Sequence, residues 1–376
     1  MTEKPFNLFV TESANSLIIS LFNQYKHMIH NKYLYSKVFF TGLVIIFLST
    51  CQPESPPASP NMEIWKFSGS SMGTSYHVSV RVSAGSVTRK QLQQGIKNTI
   101  DTVDRQMSTY KPNSELSLFN RRRSTSWQPL SPALFKVLSV AQQVSKLSDG
   151  AFDITVAPLV DLWGFGPSPS PDRLPTATEI KALLPAVGFQ RLRLQSQPPA
   201  AAKQLPNLQI DLSAIAKGFA VDQVAGYLKN LGLSNYLVEI GGEVRGSGSR
   251  PGGQPWRVAL EAPVTGQRRI NRVITLHNFA LATSGDYRNY FEKNGVRYSH
   301  TINPRTGYPI RHKLASVSVL ASNTMLADAL ATALMVAGPK AGYALSSAHA
   351  IAARFLVHTG TGFKIKETVA WQRQVD

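Results

Sequence analysis

Asp211-Leu-Ser-Ala-Ile-Ala-Lys-Gly-Phe-Ala-Val-Asp222 is the stretch on which a reading of this chain turns. The apolar triplet ahead of it, Leu208 to Ile210, reads as a strand that delivers the Asp211 carboxylate. Small residues then make a turn, and Lys217 and Gly218 open a helix. This succession suits an anionic ligand, because the first N–H groups of a helix lack partners and its dipole favours negative charge. Lys217 adds a cation, and Asp211 can orient a polar group. The same layout also fits a plain helix start, with Asp211 as the N-cap.

On either side, strand and helix patterns alternate without a repeat. Trp65 to Phe67 and Tyr76 to Val82 alternate as strands do, and Leu92, Ile96, Ile100, Val103 and Met107 fall at helical spacing. Ser131-Pro132 is an N-cap and first-turn pair for a helix through Leu134, Leu138, Ala141 and Val144, which Gly150 stops. Gly164 to Pro175 and Gln195 to Gln204 read as loops around a short helix near Glu179 to Leu184. Further strands are expected at Tyr236 to Ile240, Trp256 to Glu261, Val273 to His277, Ala280 to Thr283 and Ala315 to Leu320. Helices from Thr324 to Val336 and Lys340 to Ala348 follow, and Ile351 to Val357 closes as a strand. The ordering predicts an α+β fold with a mixed, largely antiparallel sheet and packed helices. Residues 62–376 hold no linker long enough to force two domains, so a single body is expected.

The first 61 residues differ. The run Val38 to Leu48 follows Lys32 and Lys37, and about eleven apolar residues suit a signal-peptide core better than a membrane span. It ends at Leu48-Ser-Thr-Cys51, which resembles a bacterial lipoprotein cleavage box, with Thr50 where Gly, Ala or Ser usually stands. An uncleaved N-terminal anchor is the alternative. Cys51 is the chain's one cysteine, which excludes an intramolecular disulfide or a thiolate metal cluster and agrees with lipidation of that thiol. Met28 begins a conventional leader, short and basic and then apolar, so residues 1–27 read as an upstream extension before the true start and 28–51 as the signal peptide. Residues 52–61, rich in Pro and Ser, read as an extended tether holding the body off a membrane in the periplasm.

The formal charge is +18; the leader contributes +2, leaving +16 downstream (+18 less +2). Such a balance favours acidic surfaces, anionic headgroups or phosphorylated ligands. The basic residues are scattered apart from Arg121-Arg-Arg123, and no nucleic-acid motif accompanies them, so no nucleic-acid partner is expected. Asp328 and Thr332, four apart on a helix, share one face and can offer oxygens to a hard cation such as Mg²⁺. The plain alternative has Thr332 bonded back to a carbonyl and Asp328 in solvent. His300 stands at a strand end before the turn-forming Asn303-Pro-Arg-Thr-Gly307, where it can accept a proton or bond its own loop; His77, mid-strand, reads as structural. Gly241-Gly242 lets a ligand approach the backbone, and Glu239 and Glu243 can bond a nucleotide or cap the turn. No Gly-x-Gly-x-x-Gly follows a strand and no Walker A lysine motif exists, so neither nucleotide fold is indicated.

Eight segments in order resemble the FAD:protein FMN transferases, the ApbE family. They are Gly69-Ser-Ser-Met-Gly-Thr74, Met107-Ser-Thr-Tyr110, Asn113-Ser-Glu-Leu-Ser-Leu-Phe-Asn120 and Gly150-Ala-Phe-Asp-Ile-Thr-Val-Ala-Pro158. Next come Asp211 to Asp222, Glu239-Ile-Gly-Gly-Glu243, Tyr298-Ser-His-Thr-Ile-Asn-Pro-Arg-Thr-Gly307 and Ala327-Asp-Ala-Leu-Ala-Thr332. The resemblance spans roughly residues 62 to 370. It implies an ApbE-like (T-fold-like) body that transfers FMN from FAD to a Thr or Ser hydroxyl of a membrane redox protein, releasing AMP with Mg²⁺ as cofactor. By position it implies FAD contacts at Met72, Tyr110, Ala151, Phe152, Asp153, Asp211, Lys217 and Ile302, with Met72, Tyr110 and Phe152 as apolar walls for the flavin ring. It also implies metal ligation by Asp328, Thr332 and a carbonyl near Ala214, and His300 as general base. Ala331 stands where some relatives carry a second acid, which leaves the ion more dependent on the rest. An FAD pyrophosphatase giving FMN and AMP, and a flavin-binding lipoprotein without activity, are the rival readings.

Overall fold

Strand-forming residues gather into one eight-stranded sheet whose spatial order is simply chain order: β1 (Met62–Ser71), β2 (Thr74–Ser83), β3 (Tyr236–Ile240), β4 (Glu243–Ser247), β5 (Ala280–Gly285), β6 (Leu314–Ala321), β7 (Ala352–His358) and β8 (Phe363–Glu367). Every neighbouring pair is antiparallel. The computed structural model describes residues 62–83, 85–167, 173–262, 269–286 and 290–375. The expected upstream extension, signal peptide, Cys51 and tether lie outside the described residues, as does part of the loop from Gly164 to Pro175. The described residues fall in one compact unit, and none of their helices is long and apolar enough to cross a membrane.

Four long helices cover one face of the sheet: α1 (Arg89–Met107), α2 (Pro132–Leu147), α3 (Ala216–Asn230) and α4 (Thr324–Ala348). The apolar residues expected at helical spacing in α1 are all buried, and Thr88 starts it with a capping box. Ser131 caps α2, its side chain accepting from the Leu134 N–H at 3.2 Å. The two helices expected near the C-terminus form one run, α4, broken at Gly338 (φ +80°), where Pro339 follows. Alternate residues of β2 and β3, Tyr76, Val78, Val80 and Tyr236, Val238, Ile240, bury against these helices. The opposite face is covered by the hairpin of Trp256–Glu261 and Ile270–Leu276 and by the short helix Val369–Val375, which buries Trp371 completely.

Several expectations need correction. Leu208 to Ile210 is not a strand: a side chain takes the place of a partner strand, Asn120 donating to the Ile210 carbonyl at 2.8 Å and accepting its N–H at 2.9 Å. Gln195 to Gln204 is not a loop, because Leu192–Ser196 and Pro199–Lys203 pair as a hairpin that Gln128–Pro129 extends. Its alanines are small enough to bury completely beneath neighbouring elements, a packing that local composition does not reveal. The strand expected at Ile351 to Val357 is not the last element; β8 and the Trp371 helix follow it.

Candidate functional site

The quoted stretch works through two helix starts that grip each other. The Gly218 N–H, in the first turn of α3, donates to Asp328 Oδ2 of α4 at 3.0 Å. In return Asp222 of α3 accepts at the start of α4, from the Thr324 N–H and hydroxyl at 3.0 Å each and from the Met325 N–H at 2.9 Å. Arg245 of β4 pairs with Asp222 at 2.5 Å. The anion that meets the α3 N-terminus is therefore Asp328 itself. A β-carbon on Gly218 would lie 2.4 Å from the Thr324 carbonyl oxygen, so only glycine allows this approach. Asp211 is not the N-cap of α3, which starts at Ala216; its carboxylate instead closes a turn onto the Ser213 N–H at 2.7 Å and the Ser213 hydroxyl.

Above this joint opens a cavity of about 630 Å³. Its walls include ten of the twelve expected contact, metal and catalytic positions: Ala151, Phe152, Asp153, Asp211, Ala214, Lys217, His300, Ile302, Asp328 and Thr332. Met72 and Tyr110 are not among the lining residues. Met72 sits in the two-residue turn between β1 and β2 at φ +52°, beside Gly73 at +71°; this is a left-handed pair that a hairpin favours but a methionine rarely adopts. Tyr110 is largely exposed and donates its hydroxyl to the Phe165 carbonyl at 3.1 Å. Asp153 lines the cavity with its carboxylate already engaged: Oδ1 accepts from Thr155 (N–H 2.8 Å, hydroxyl 2.6 Å) and Oδ2 from the Phe189 N–H at 2.8 Å.

Charge is unevenly matched here. Lys217 lies 3.2 Å from Glu243 Oε1. Asp328 is also buried and close enough to act on both, so two buried carboxylates share one ammonium. Burial pushes the Glu243 and Asp328 carboxyls up from their ordinary range, against the pull of Lys217. Burial lowers Lys217, but the two acids outweigh it and hold its ammonium protonated. Among the described residues Glu243 Oε2 is buried and has no hydrogen-bond partner. A surplus of buried carboxylate oxygen is what a hard cation relieves, and the oxygens of Asp328, Thr332 and the Ala214 backbone fit one. Ala331 is buried and offers no ligand. Among the described residues no group of three His, Cys, Asp or Glu gathers to bind a metal. The plain alternative for Asp328 does not hold: the side chain is 5% exposed, not solvated.

His300 follows the strand Val296–Ser299 and is braced by stacked rings: Trp163 on Tyr298 (5.6 Å), Tyr298 on Phe291 (5.1 Å), Phe291 near Phe165 (5.4 Å) and Phe165 edge-on to His300 (6.3 Å). Since Tyr110 bonds Phe165, it joins this brace. His77, read from sequence as structural, lines the cavity instead, with Nδ1 2.7 Å from Glu239 Oε2, while Glu239 Oε1 accepts the Gly242 N–H at 2.7 Å. The alternation of Tyr76, Val78 and Val80 into the core was the available signal that His77 faces the other way. Thr283, Ser284 and Gly285 of β5 also border the cavity, and nothing in their composition marks them.

The chain can now be set beside known proteins. The model of the ApbE family matches residues 72–355. An FAD:protein FMN transferase of Vibrio cholerae is 45% identical over 297 residues, covering 79% of this chain and 88% of that one. One from Haemophilus influenzae is 41% identical over 332 residues, covering 87% and 94%. Among solved structures, the flavin transferase ApbE from Vibrio cholerae aligns with TM-score 0.78 and 42% identity over 83% of this chain and 99% of that one. The Pseudomonas stutzeri flavinyl transferase ApbE, in its apo form, aligns at 0.77 and 40% over 84% and 97%. With its sequence and its antiparallel sheet under packed helices both following one pattern, the chain belongs to the ApbE family.

Proposed function

We propose that this protein is an FAD:protein FMN transferase, moving the FMN half of FAD onto a Thr or Ser hydroxyl of another protein and releasing AMP. The observation that carries this reading is the joint of α3 and α4, which holds Lys217, Asp328 and Thr332 in the lining of the cavity that His300 also lines. In the reaction the acceptor hydroxyl oxygen bonds to the FMN-side phosphorus, the bond from that phosphorus to the AMP oxygen breaks, and the hydroxyl proton leaves. Such chemistry asks a protein mainly for positioning and charge neutralisation. Asp328, Thr332 and the Ala214 carbonyl would hold Mg²⁺, which supplies neutralisation of pyrophosphate charge when bound. Lys217, fixed between Glu243 and Asp328, presents a cation to the same phosphates. His300, braced by Phe165, accepts the hydroxyl proton. Phe152 and Ile302 supply apolar wall for the flavin, with Ala151 leaving room beside them.

The leader sequence supports a further part of the proposal: acylation at Cys51 anchors the body to a bacterial membrane on its periplasmic side, within reach of membrane redox subunits as acceptors. The mass of the mature protein tests this part alone. For the reaction, the purified protein is incubated with FAD, Mg²⁺ and a redox-subunit domain, following AMP release and a fluorescent acceptor band on a denaturing gel. AMP together with a covalent FMN adduct is the expected outcome. AMP without adduct across acceptors would make the protein an FAD pyrophosphatase, and no AMP would leave a flavin binder.

A further inference from the structure

An FMN transferase must bring a second protein's hydroxyl to the cavity, and the strand order leaves a place for it. β5 is laddered to β6 along its whole length, Ala280 to Gly285, but β4 covers its other side only at Ala280 and Leu281. β4 begins at Glu243, straight after the Gly241-Gly242 turn, so the strand beside β5 runs out there. Among the described residues no strand is laddered to this side of β5 from Ala282 to Gly285; four residues of strand span roughly 13 Å.

The direction of the main-chain groups along that edge follows from the ladder. Asp286 donates its N–H to the Ala315 carbonyl on the β6 side, while the Phe279 carbonyl accepts from the Gly246 N–H on the β4 side. Alternation in an antiparallel sheet then turns the N–H and C=O of residues 281, 283 and 285 towards the β4 side. Leu281 meets Val244 there. Among the described residues Thr283 and Gly285 meet no strand on that side, and their outward main-chain groups have no hydrogen-bond partner. Both residues, with Ser284 between them, line the same cavity as His300, Asp328 and Thr332. Ala282 packs under the helices, so Ser284, two residues on, faces that way too. Thr283 faces away, its hydroxyl 2.8 Å from that of Ser318.

We propose that this free edge is where the acceptor protein docks: its hydroxyl-bearing segment adds as a short extended strand along Ala282–Gly285. The inference rests on the transferase reading. The two acceptor residues opposite Thr283 and Gly285 exchange main-chain hydrogen bonds with them. The residue between these two, opposite Ser284, turns its side chain to the helix face, towards Asp328, Thr332 and His300. Edge pairing of this kind is made by backbone and needs an extended segment rather than a particular flanking sequence. It also needs a short one, because the gap closes at the Gly241-Gly242 turn.

The test uses a redox-subunit domain that the enzyme flavinylates, with its target threonine changed to valine so that the complex does not turn over. Amide hydrogen exchange at Thr283 and Gly285 is followed by NMR in the full protein, alone, with FAD, and with this domain. Slowing of both amides by tenfold or more with the domain, and not with FAD alone, is expected. Unchanged exchange at both amides in the domain-bound complex, or slowing by FAD alone, would overturn the proposal, the latter assigning the edge to the flavin. Synthetic segments of the unaltered domain, N-methylated at one amide at a time, give a second reading. Transfer should fall at alternate positions and survive at those between; a loss without that period of two sinks the strand geometry. If the unaltered domain forms no adduct at all, the transferase reading itself has failed, which the gel shows separately.

Discussion

Gly218→Ala probes the joint on which the site is built. The new β-carbon would sit 2.4 Å from the Thr324 carbonyl oxygen, 2.7 Å from its carbon and 2.8 Å from the Met325 Cα, all backbone atoms that no rotamer can move aside. Ordinary contact begins near 3.4 Å, so α3 and α4 must part by about 1 Å (3.4 less 2.4). Overpacking of this kind costs about 1–3 kcal/mol, and alanine's better helix propensity returns about 1 kcal/mol at most. Stretching the Gly218 N–H bond to Asp328 by a similar distance forfeits part of a charge-assisted bond of about 1.5–3 kcal/mol. The net expectation is a loss of about 2 kcal/mol in urea unfolding. A 1 Å displacement of Asp328 should also cost FMN transfer on the order of a hundredfold. Gly226→Ala on the same helix is the control, since a β-carbon there meets nothing within 4 Å; it should stabilise by up to about 1 kcal/mol and leave transfer unchanged. A Gly218→Ala protein as stable and as active as the parent would refute the argument that the helix approach sets the site.

Asp328→Asn keeps an oxygen for the Gly218 N–H and should fold, yet transfer should fall at least a hundredfold; Mg²⁺-dependent transfer retained in this variant would remove the metal assignment. Asp222→Ala strips three hydrogen bonds from the start of α4 and leaves Arg245 without its carboxylate, so unfolding should cost about 2–4 kcal/mol less; a change under about 0.5 kcal/mol would contradict the capping role. His312 gives a pH dependence. Its Nε2–H donates to the Met335 carbonyl at 2.7 Å and its Nδ1 accepts from the Leu314 N–H at 3.3 Å, so the ring is neutral in the fold. Burial lowers its pKa below the ordinary 6.5, against the backbone bond to Met335 and the weaker pull of Asp286. The unfolded chain therefore takes up the proton first, and stability should be full above about pH 6.5 and fall as pH drops below it. Unfolding free energies at pH 7.5 and 5.5 should differ more in the parent than in His312→Gln; equal differences would exclude this group as the source.

Most of the helices and sheet strands were legible because they depend on periodicity: Leu92 to Met107 at helical spacing, and Tyr76 to Val82 or Tyr236 to Ile240 at strand spacing, bury the side that the pattern names. The hairpin at Leu192–Lys203 was not, because alanines and glutamines carry little periodic signal and its partner strand lies far away in sequence. Sequence alone also set the chemistry available to the site, since the motifs name a lysine, a histidine and a helix face with one acid and one hydroxyl. Where those groups meet was decided by tertiary structure. Asp328 and Gly218 are 110 residues apart, and no local rule says that one answers the other's N–H; the close approach of two helices does. Asp211 shows the converse, a residue whose local pattern named it a cap while its carboxylate closes a turn onto Ser213 and faces the cavity. His77 lost its structural reading in the same way, through Glu239 on the adjacent strand. The free edge of β5 belongs wholly to the tertiary level, because an absent neighbour is a property of how the sheet is assembled, and pairing partners distant along the chain leave no trace in any single stretch of it.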